Sequence, residues 1–304
     1  MALNSAIEWT THTFNPWWGC TKVSPGCDNC YAERDSQRFS PGLWGLKADR
    51  RFFQEPHWQQ LLRWDRAAAK AATRPRVFCA SMADVFDNHP QVTLERARLW
   101  DYINMTPNLD WLLLTKRIGN VRSMYPVSWI AKPPKNVWLG ISVINQVEAD
   151  RDIPKLLEVP AHIRFLSCEP LLGEIDLRPF RKGQCPSCAG DGDVLDHDAI
   201  GEMPADTALC DRNIMMPCED CNGTGDWPDN PGLDWVICGG ESGANARFMD
   251  YDWAFRIAQA CQEMGIAFFM KQGSAKNWPR FKQFDSFPQI LQIREWPNAK
   301  NRTT

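Results

Sequence analysis

No stretch of this 304-residue sequence approaches the ~18–20 consecutive apolar residues that a membrane-spanning helix needs, so no membrane association is expected. The opening segment, MALNSAIEWTTHTF, lacks a basic start followed by an apolar core and does not read as a secretory leader. A reducing, cytoplasmic location follows as the expectation, and with it an absence of structural disulfides. Charge of neither sign dominates: 34 Lys and Arg face 37 Asp and Glu, a net charge of −3. A global basic field is thereby excluded, although a local basic groove is not. Histidine is scarce, with 5 in the chain. Neither a Ser-His-Asp arrangement nor a G-x-x-x-x-G-K phosphate loop is present, and hydrolytic zinc chemistry finds little support.

Cysteine, by contrast, is plentiful at 12 residues, and tryptophan is high at 15. In a reducing compartment the cysteines call for metal ligation, and their spacing decides where.

The backbone pattern comes first. Short apolar runs at 77–80, 111–114, 137–141, 163–166, 235–238 and 267–270 each end in polar or small residues. They are too short for helices, rich in Val, Ile, Phe and Trp, and continuous rather than alternating, as strands buried on both faces are. Helical spacing lies between some of them: Trp253, Ile257, Ala260, Cys261 and Met264 share one face, as do Val92, Leu99, Tyr102 and Ile103. Strand alternating with helix predicts an α/β fold, a partial or full (βα) barrel spanning 1–182 and 233–294. Residues 183–232 break the pattern and read as a small insertion, and 295–304 as a polar, frayed tail.

Cys20, Cys27 and Cys30 are spaced C-x6-C-x2-C, with Gly19, Pro25 and Gly26 letting the backbone curl. Three thiolates on one short loop can hold three corners of a [4Fe-4S] cluster, leaving the fourth iron open to the amino and carboxylate groups of S-adenosyl-L-methionine. The competing readings are a zinc site completed by a distant Cys or by His12, and free thiols.

The segment from Asn15-Pro16 through Gly19-Cys20 to Cys30-Tyr31 resembles the radical S-adenosylmethionine superfamily, in its photoproduct-lyase-like branch. That superfamily's usual loop is C-x3-C-x2-C, and the first gap here is wider. Nearly end to end, the chain also resembles a family of uncharacterised phage-encoded proteins, through Trp9-Thr10 and segments 19–33, 81–86, 114–117, 138–143, 167–172, 235–243 and 268–272.

The resemblance implies an enzyme that generates a 5′-deoxyadenosyl radical, with a nucleic-acid base or nucleotide as the suggested substrate class, and an electron donor such as flavodoxin or ferredoxin. It places cofactor contacts at strand ends: Ser81 and Asp84 after one strand, Ser142 and Glu169 after later ones. The turn Gly239, Gly240, Glu241, Ser242 reads as a glycine-rich approach to cofactor or substrate, or as a tight βα turn. Lys116, Arg117 and Lys271 place cations at the same mouth, as substrate-side catalytic candidates or as partners of Glu169, Glu241 and Asp84.

A second group is sharper. Cys185-x-x-Cys188-x-Gly-x-Gly192 and Cys218-x-x-Cys221-x-Gly-x-Gly225 are two copies of one knuckle, together a closed four-thiolate set of the kind that holds structural Zn2+. They resemble the zinc-binding repeats of J-domain co-chaperones. An auxiliary iron–sulfur cluster is the rival, and Cys210, between the pairs, an alternative ligand. The insertion would either contact substrate or staple a segment too small to have its own core. Cys79, Cys168, Cys238 and Cys261 read as small buried hydrophobes. Trp17 and Trp18 read as packing residues, or as shields or stacking platforms beside the loop. Arg34, Arg38, Arg50 and Arg51 read as phosphate contacts or a solvated helical face. The competing function is a non-catalytic zinc protein that binds nucleic acid or a protein partner.

Overall fold

The structure is a computed structural model that describes residues 5–185, 187–188, 191–195, 215–221, 224–225, 230–243, 245–277 and 282–297. Seven parallel strands form one sheet: β1 (His12–Thr13), β2 (Arg76–Cys79), β3 (Asp110–Thr115), β4 (Val137–Ser142), β5 (Ile163–Cys168), β6 (Trp235–Gly239) and β7 (Ala267–Gln272). Their order in space is their order in sequence. Each apolar run is a strand; β1, at two residues, was too short to leave a pattern.

The larger helices are α1 (Tyr31–Phe39), α2 (Glu55–Ala71), α3 (Thr93–Met105), α4 (Ile118–Met124), α5 (Val127–Ala131), α6 (Gln146–Glu158) and α7 (Tyr251–Met264). Crossovers that all step the same way, with the usual right hand, put their helices on one face. The sheet then curls away from them into a half-barrel.

The two faces have separate cores. Outside, Val77, Leu113, Leu139, Leu166, Val236 and Met270 meet Trp58, Leu61, Leu99, Ile153 and Ile257 from the helices. Inside, Phe78, Leu112, Trp138, Phe165, Trp235 and Phe269 close on Trp9 as an aromatic plug. Gly140 makes room for it: a Cβ there would stand 2.3 Å from the Phe165 ring. Gly140→Ala is therefore expected to destabilise the fold by about 1–3 kcal/mol through overpacking. The urea midpoint should fall with an unchanged slope; an unmoved midpoint would show that the ring gives way freely.

A seam ties the two edges of the curl together. Residues expected in the frayed tail supply it, because Trp296 finds a large aromatic face to cover. Its ring lies 5.2 Å from Phe269 on β7 and under the guanidinium of Arg76 on β2, and its indole N–H reaches the Trp9 carbonyl. Glu295 pairs with Phe268 through its backbone N–H and accepts from the Trp235 indole.

Between β5 and β6 no α-helix covers the sheet among the described residues. Leu171, Ile175, Leu177 and Phe180 pack there instead. The chain then enters the insertion through a neck held by Asn230, whose amide donates to the Arg181 and Gln184 carbonyls and whose carbonyl accepts from Gly183 N–H. Trp235 opens β6 just beyond. The insertion is thus rooted at the N-terminal end of the strands. Residues 196–214, Cys210 among them, lie outside the described residues.

Candidate functional site

At the C-terminal ends of the strands, above the aromatic plug, the half-barrel encloses a cavity of about 770 Å³. Cys20, Cys27 and Cys30 line it, together with Ser81, Asp84, Lys116 and Arg117. So do Ser142, Glu169, Gly240, Glu241, Ser242 and Lys271, whereas Gly239 is not among the lining residues. Residues scattered over some 250 positions of sequence thus meet at one mouth, because each ends a strand or sits on the loop above.

The cysteine loop is shaped locally. Ser24 caps a single 3-10 turn, Pro25–Cys27, its hydroxyl accepting from Gly26 N–H at 3.0 Å, with Pro at the first position where no N–H is needed. Cys30 is the N-cap residue of α1. Burial pushes its thiol up, while the N–H groups of Glu33 and Ala32 in the first turn favour the thiolate. Burial also pushes Cys20 up to about 12, with Arg117 acting in the opposite sense.

Two clamps hold this loop. On one side, Asp84 accepts from Thr115 Oγ1, Lys116 N, Phe86 N and Arg117 Nη1, the last at 2.9 Å. Arg117 in turn donates to the Thr21 carbonyl and reaches Cys20 Sγ at 3.6 Å. Asp84 therefore spends both oxygens on protein donors and acts as an organiser of the mouth. On the other side, Glu241 accepts from Asn29 Nδ2 at 2.9 Å and from Arg247, which also donates to the Pro25 carbonyl. Burial would raise Glu241, but Arg247 and Asn29 hold its carboxyl below the ordinary range.

The floor is polar where it meets the plug. Ser142 and Ser167 are register partners on β4 and β5, and Lys271 on β7 pairs with Glu169 Oε2 at 3.1 Å. Glu169 Oε1 is buried with no hydrogen-bond partner among the described residues. The glycine turn is filled from within the chain. A Cβ on Gly239 would meet Glu169 Oε1 at 2.6 Å, one on Gly240 would meet Ser274 N at 2.6 Å, and Gly240 N–H already bonds the Gln272 carbonyl. Close packing of β6 against β7 and against the Glu169 side chain requires glycine at both positions.

Other expectations are redrawn. His12 stacks on Trp64 at 4.3 Å and does not line the cavity, so it is no fourth ligand to the loop. Trp17 is buried in the outer core, and Trp18 is covered by Arg51 and Phe53; neither faces the cavity. Arg50 is neither solvated nor helical: its guanidinium is fully buried against Asp87. Arg51 bonds Ser40 Oγ at 2.6 Å. Arg34 pairs with Asp35 and lines the mouth, while Arg38 is exposed. Cys79, Cys168, Cys238 and Cys261 are buried, as small hydrophobes are.

Outside the lining of the mouth, the four thiols of the insertion converge, all within 4.8 Å of one another. Cys185 and Cys218 sulfurs stand 3.8 Å apart, Cys188 and Cys221 3.6 Å. The knuckles are related by a near-symmetry. Gly192 N–H points at Cys188 Sγ and Gly225 N–H at Cys221 Sγ; each glycine carbonyl accepts from the first Cys of the other knuckle. Both glycines have positive φ, 86° and 75°, which the turn requires.

A family model described as a protein of unknown function (DUF5131) matches residues 4–296. The chain belongs to this family. No curated protein matches it. Among solved structures, a spore photoproduct lyase mutant with bound AdoMet and a dinucleoside spore photoproduct aligns with a TM-score of 0.40 and 12% identity. That alignment covers 55% of this chain and 47% of the lyase, less than half its length.

Several residues of the site drew no role from the sequence. Arg247 and Asp87 shape the loop from positions that no motif marks. Asn15, which holds Ser81 and the Met82 amide, and Asn29, between Cys27 and Cys30, stood inside noted segments without a role, and Arg50 was noted for a different one.

Proposed function

We propose that this chain is a radical S-adenosylmethionine enzyme whose cluster is held by Cys20, Cys27 and Cys30. The observation that carries this reading is the meeting of that loop with the polar strand ends of the half-barrel around one cavity. The donor set fits: the cavity is lined by these cysteines, and by no histidine or fourth cysteine among the described residues, so one iron would keep a position open for the cofactor. Bound there, the cluster would supply the electron that cleaves S-adenosylmethionine to methionine and a 5′-deoxyadenosyl radical.

The chain's own residues position and enclose. Arg117 and Arg247 hold the loop from opposite sides, and the aromatic plug seals the cavity from below. Glu169, with one unpartnered buried oxygen, is the acceptor for a hydroxyl or amino group of cofactor or substrate, and Ser142 and Ser242 face the same space. Lys271 holds Glu169 in place through their ion pair at 3.1 Å. A protein donor such as flavodoxin or ferredoxin would deliver the electron.

For the insertion we propose one structural zinc ion. A tetrahedron with metal–sulfur bonds of ~2.3 Å has sulfur–sulfur edges of about 3.8 Å, which the observed separations match, whereas the corners of a four-iron cube stand farther apart. Its root at the far end of the barrel favours the staple over a substrate contact.

The test is anaerobic reconstitution followed by dithionite and S-adenosylmethionine. About four irons per chain and equal yields of 5′-deoxyadenosine and methionine are expected. Iron bound without cleavage would leave a cofactor binder, and zinc alone after reconstitution would leave a zinc-binding protein in place of the enzyme.

A further inference from the structure

Two cations flank the cysteine loop, and one of them touches sulfur. Arg117, its side chain 8% exposed, reaches Cys20 Sγ with the same nitrogen that pairs with Asp84. Lys116, its neighbour, is fixed by a backbone bond to Asp84 and passes over Gly26, where a Cβ would stand 3.3 Å from Lys116 Cε. Its ammonium has no ion-pair partner among the described residues. Sequence position alone made these residues substrate-side candidates; in the fold both address the loop.

We infer that Lys116 and Arg117 set the reduction potential of the cluster held by Cys20, Cys27 and Cys30, with Asp84 opposing them. This rests on the cluster reading of the loop. When such a cluster takes one electron from a donor, no bond to the protein forms or breaks and its negative charge grows by one. A cation beside a thiolate, or a hydrogen bond to its sulfur, stabilises the reduced state more than the oxidised one and raises the potential. Asp84, 2.9 Å from the guanidinium, cancels part of that effect. The low exposure of the network keeps water from screening it.

The two cations and the carboxylate therefore act with opposite sign, which a purely structural role would not reproduce. Lys116→Met keeps the stem over Gly26, removes the charge and disturbs no ion pair. Asp84→Asn keeps a side chain of the same shape and removes the opposing charge. On reconstituted wild type and both variants, iron and sulfide are counted, and the reduced cluster is followed by electron paramagnetic resonance during a dithionite titration with mediators.

At a fixed solution potential, Lys116→Met should lower the ratio of reduced to oxidised cluster about tenfold and Asp84→Asn should raise it about tenfold. Each corresponds to a shift of about 59 mV for a one-electron couple, in opposite directions. Arg117→Lys, which keeps the charge but loses the reach to Cys20 Sγ, should shift in the Lys116→Met direction. Loaded variants with unmoved potentials, or all moved the same way, would overturn the inference and leave the cluster standing. A wild type that takes up no iron would overturn both. Should Asp84→Asn fail to fold, Lys116→Met alone decides.

Discussion

Cys27→Ala is expected to reduce iron from about four per chain to less than one while leaving zinc near one, and Cys218→Ala to do the reverse. The two cysteine groups share no element of structure. Cys27 ends the capped turn above the cavity, and Cys218 sits in the insertion, rooted at the opposite end of the strands. Removing one corner of a three-point attachment leaves two thiolates and an exposed cluster edge, which is too little to hold it. Removing one of four thiolates opens a closed tetrahedron whose binding energy, of the order of 10–16 kcal/mol in isolated zinc fingers, is also the folding energy of so small a segment. Metal analysis of the two mutants and the wild type, prepared side by side, reads the result. Unchanged iron in Cys27→Ala would remove the loop from the metal chemistry, and loss of both metals in either mutant would contradict the separation of the two sites.

Arg50→Met should destabilise the chain by about 3–5 kcal/mol, the range for breaking a buried ion pair from one side. The Arg50 side chain is 0% exposed. It donates to Asp87, to the Leu43, Gly45 and Ala48 carbonyls and to Thr21 Oγ1, pinning the segment before β2 and the start of the cysteine loop to one point. Methionine fills the space but leaves those acceptors unmet, and among the described residues leaves the Asp87 carboxylate with Arg117, at 3.8 Å, as its remaining ion-pair partner. Arg50→Lys keeps the charge without the fork and should fall between. Urea denaturation measures both; a loss below about 1 kcal/mol in Arg50→Met would mean that the loop is held by its other contacts.

How far the sequence could be read depended on how local the physics was. Strands buried on two faces must be continuously apolar, so six of the seven announced themselves. The knuckle repeats, with Gly192 and Gly225 at fixed offsets, did the same for a site built within eight residues on each side. The seam across the curl had no such local origin, since Trp296 meets Trp9, Arg76 and Phe269 from the other end of the sequence. Of the two clamps on the cysteine loop, the pairing of Arg117 with Asp84 was among the readings, but the other was silent: Glu241 finds Asn29 over 212 positions, and nothing in either neighbourhood requires the other. The glycine turn after β6 stayed open between two readings for a related reason. A glycine near a ligand and a glycine under a neighbouring side chain look alike in sequence, and here Glu169 and Ser274 are the neighbours.

The neck of the insertion is one hydrogen bond wide: Gly183 N–H and the Asn230 carbonyl stand 3.2 Å apart. A segment entered and left through so narrow a gate can lengthen, shorten or vanish over generations without altering the spacing of the strands on either side. Natural variation in length among relatives should therefore concentrate between those two residues, and the same gate offers a graft point at which a foreign sequence could be carried without touching the mouth.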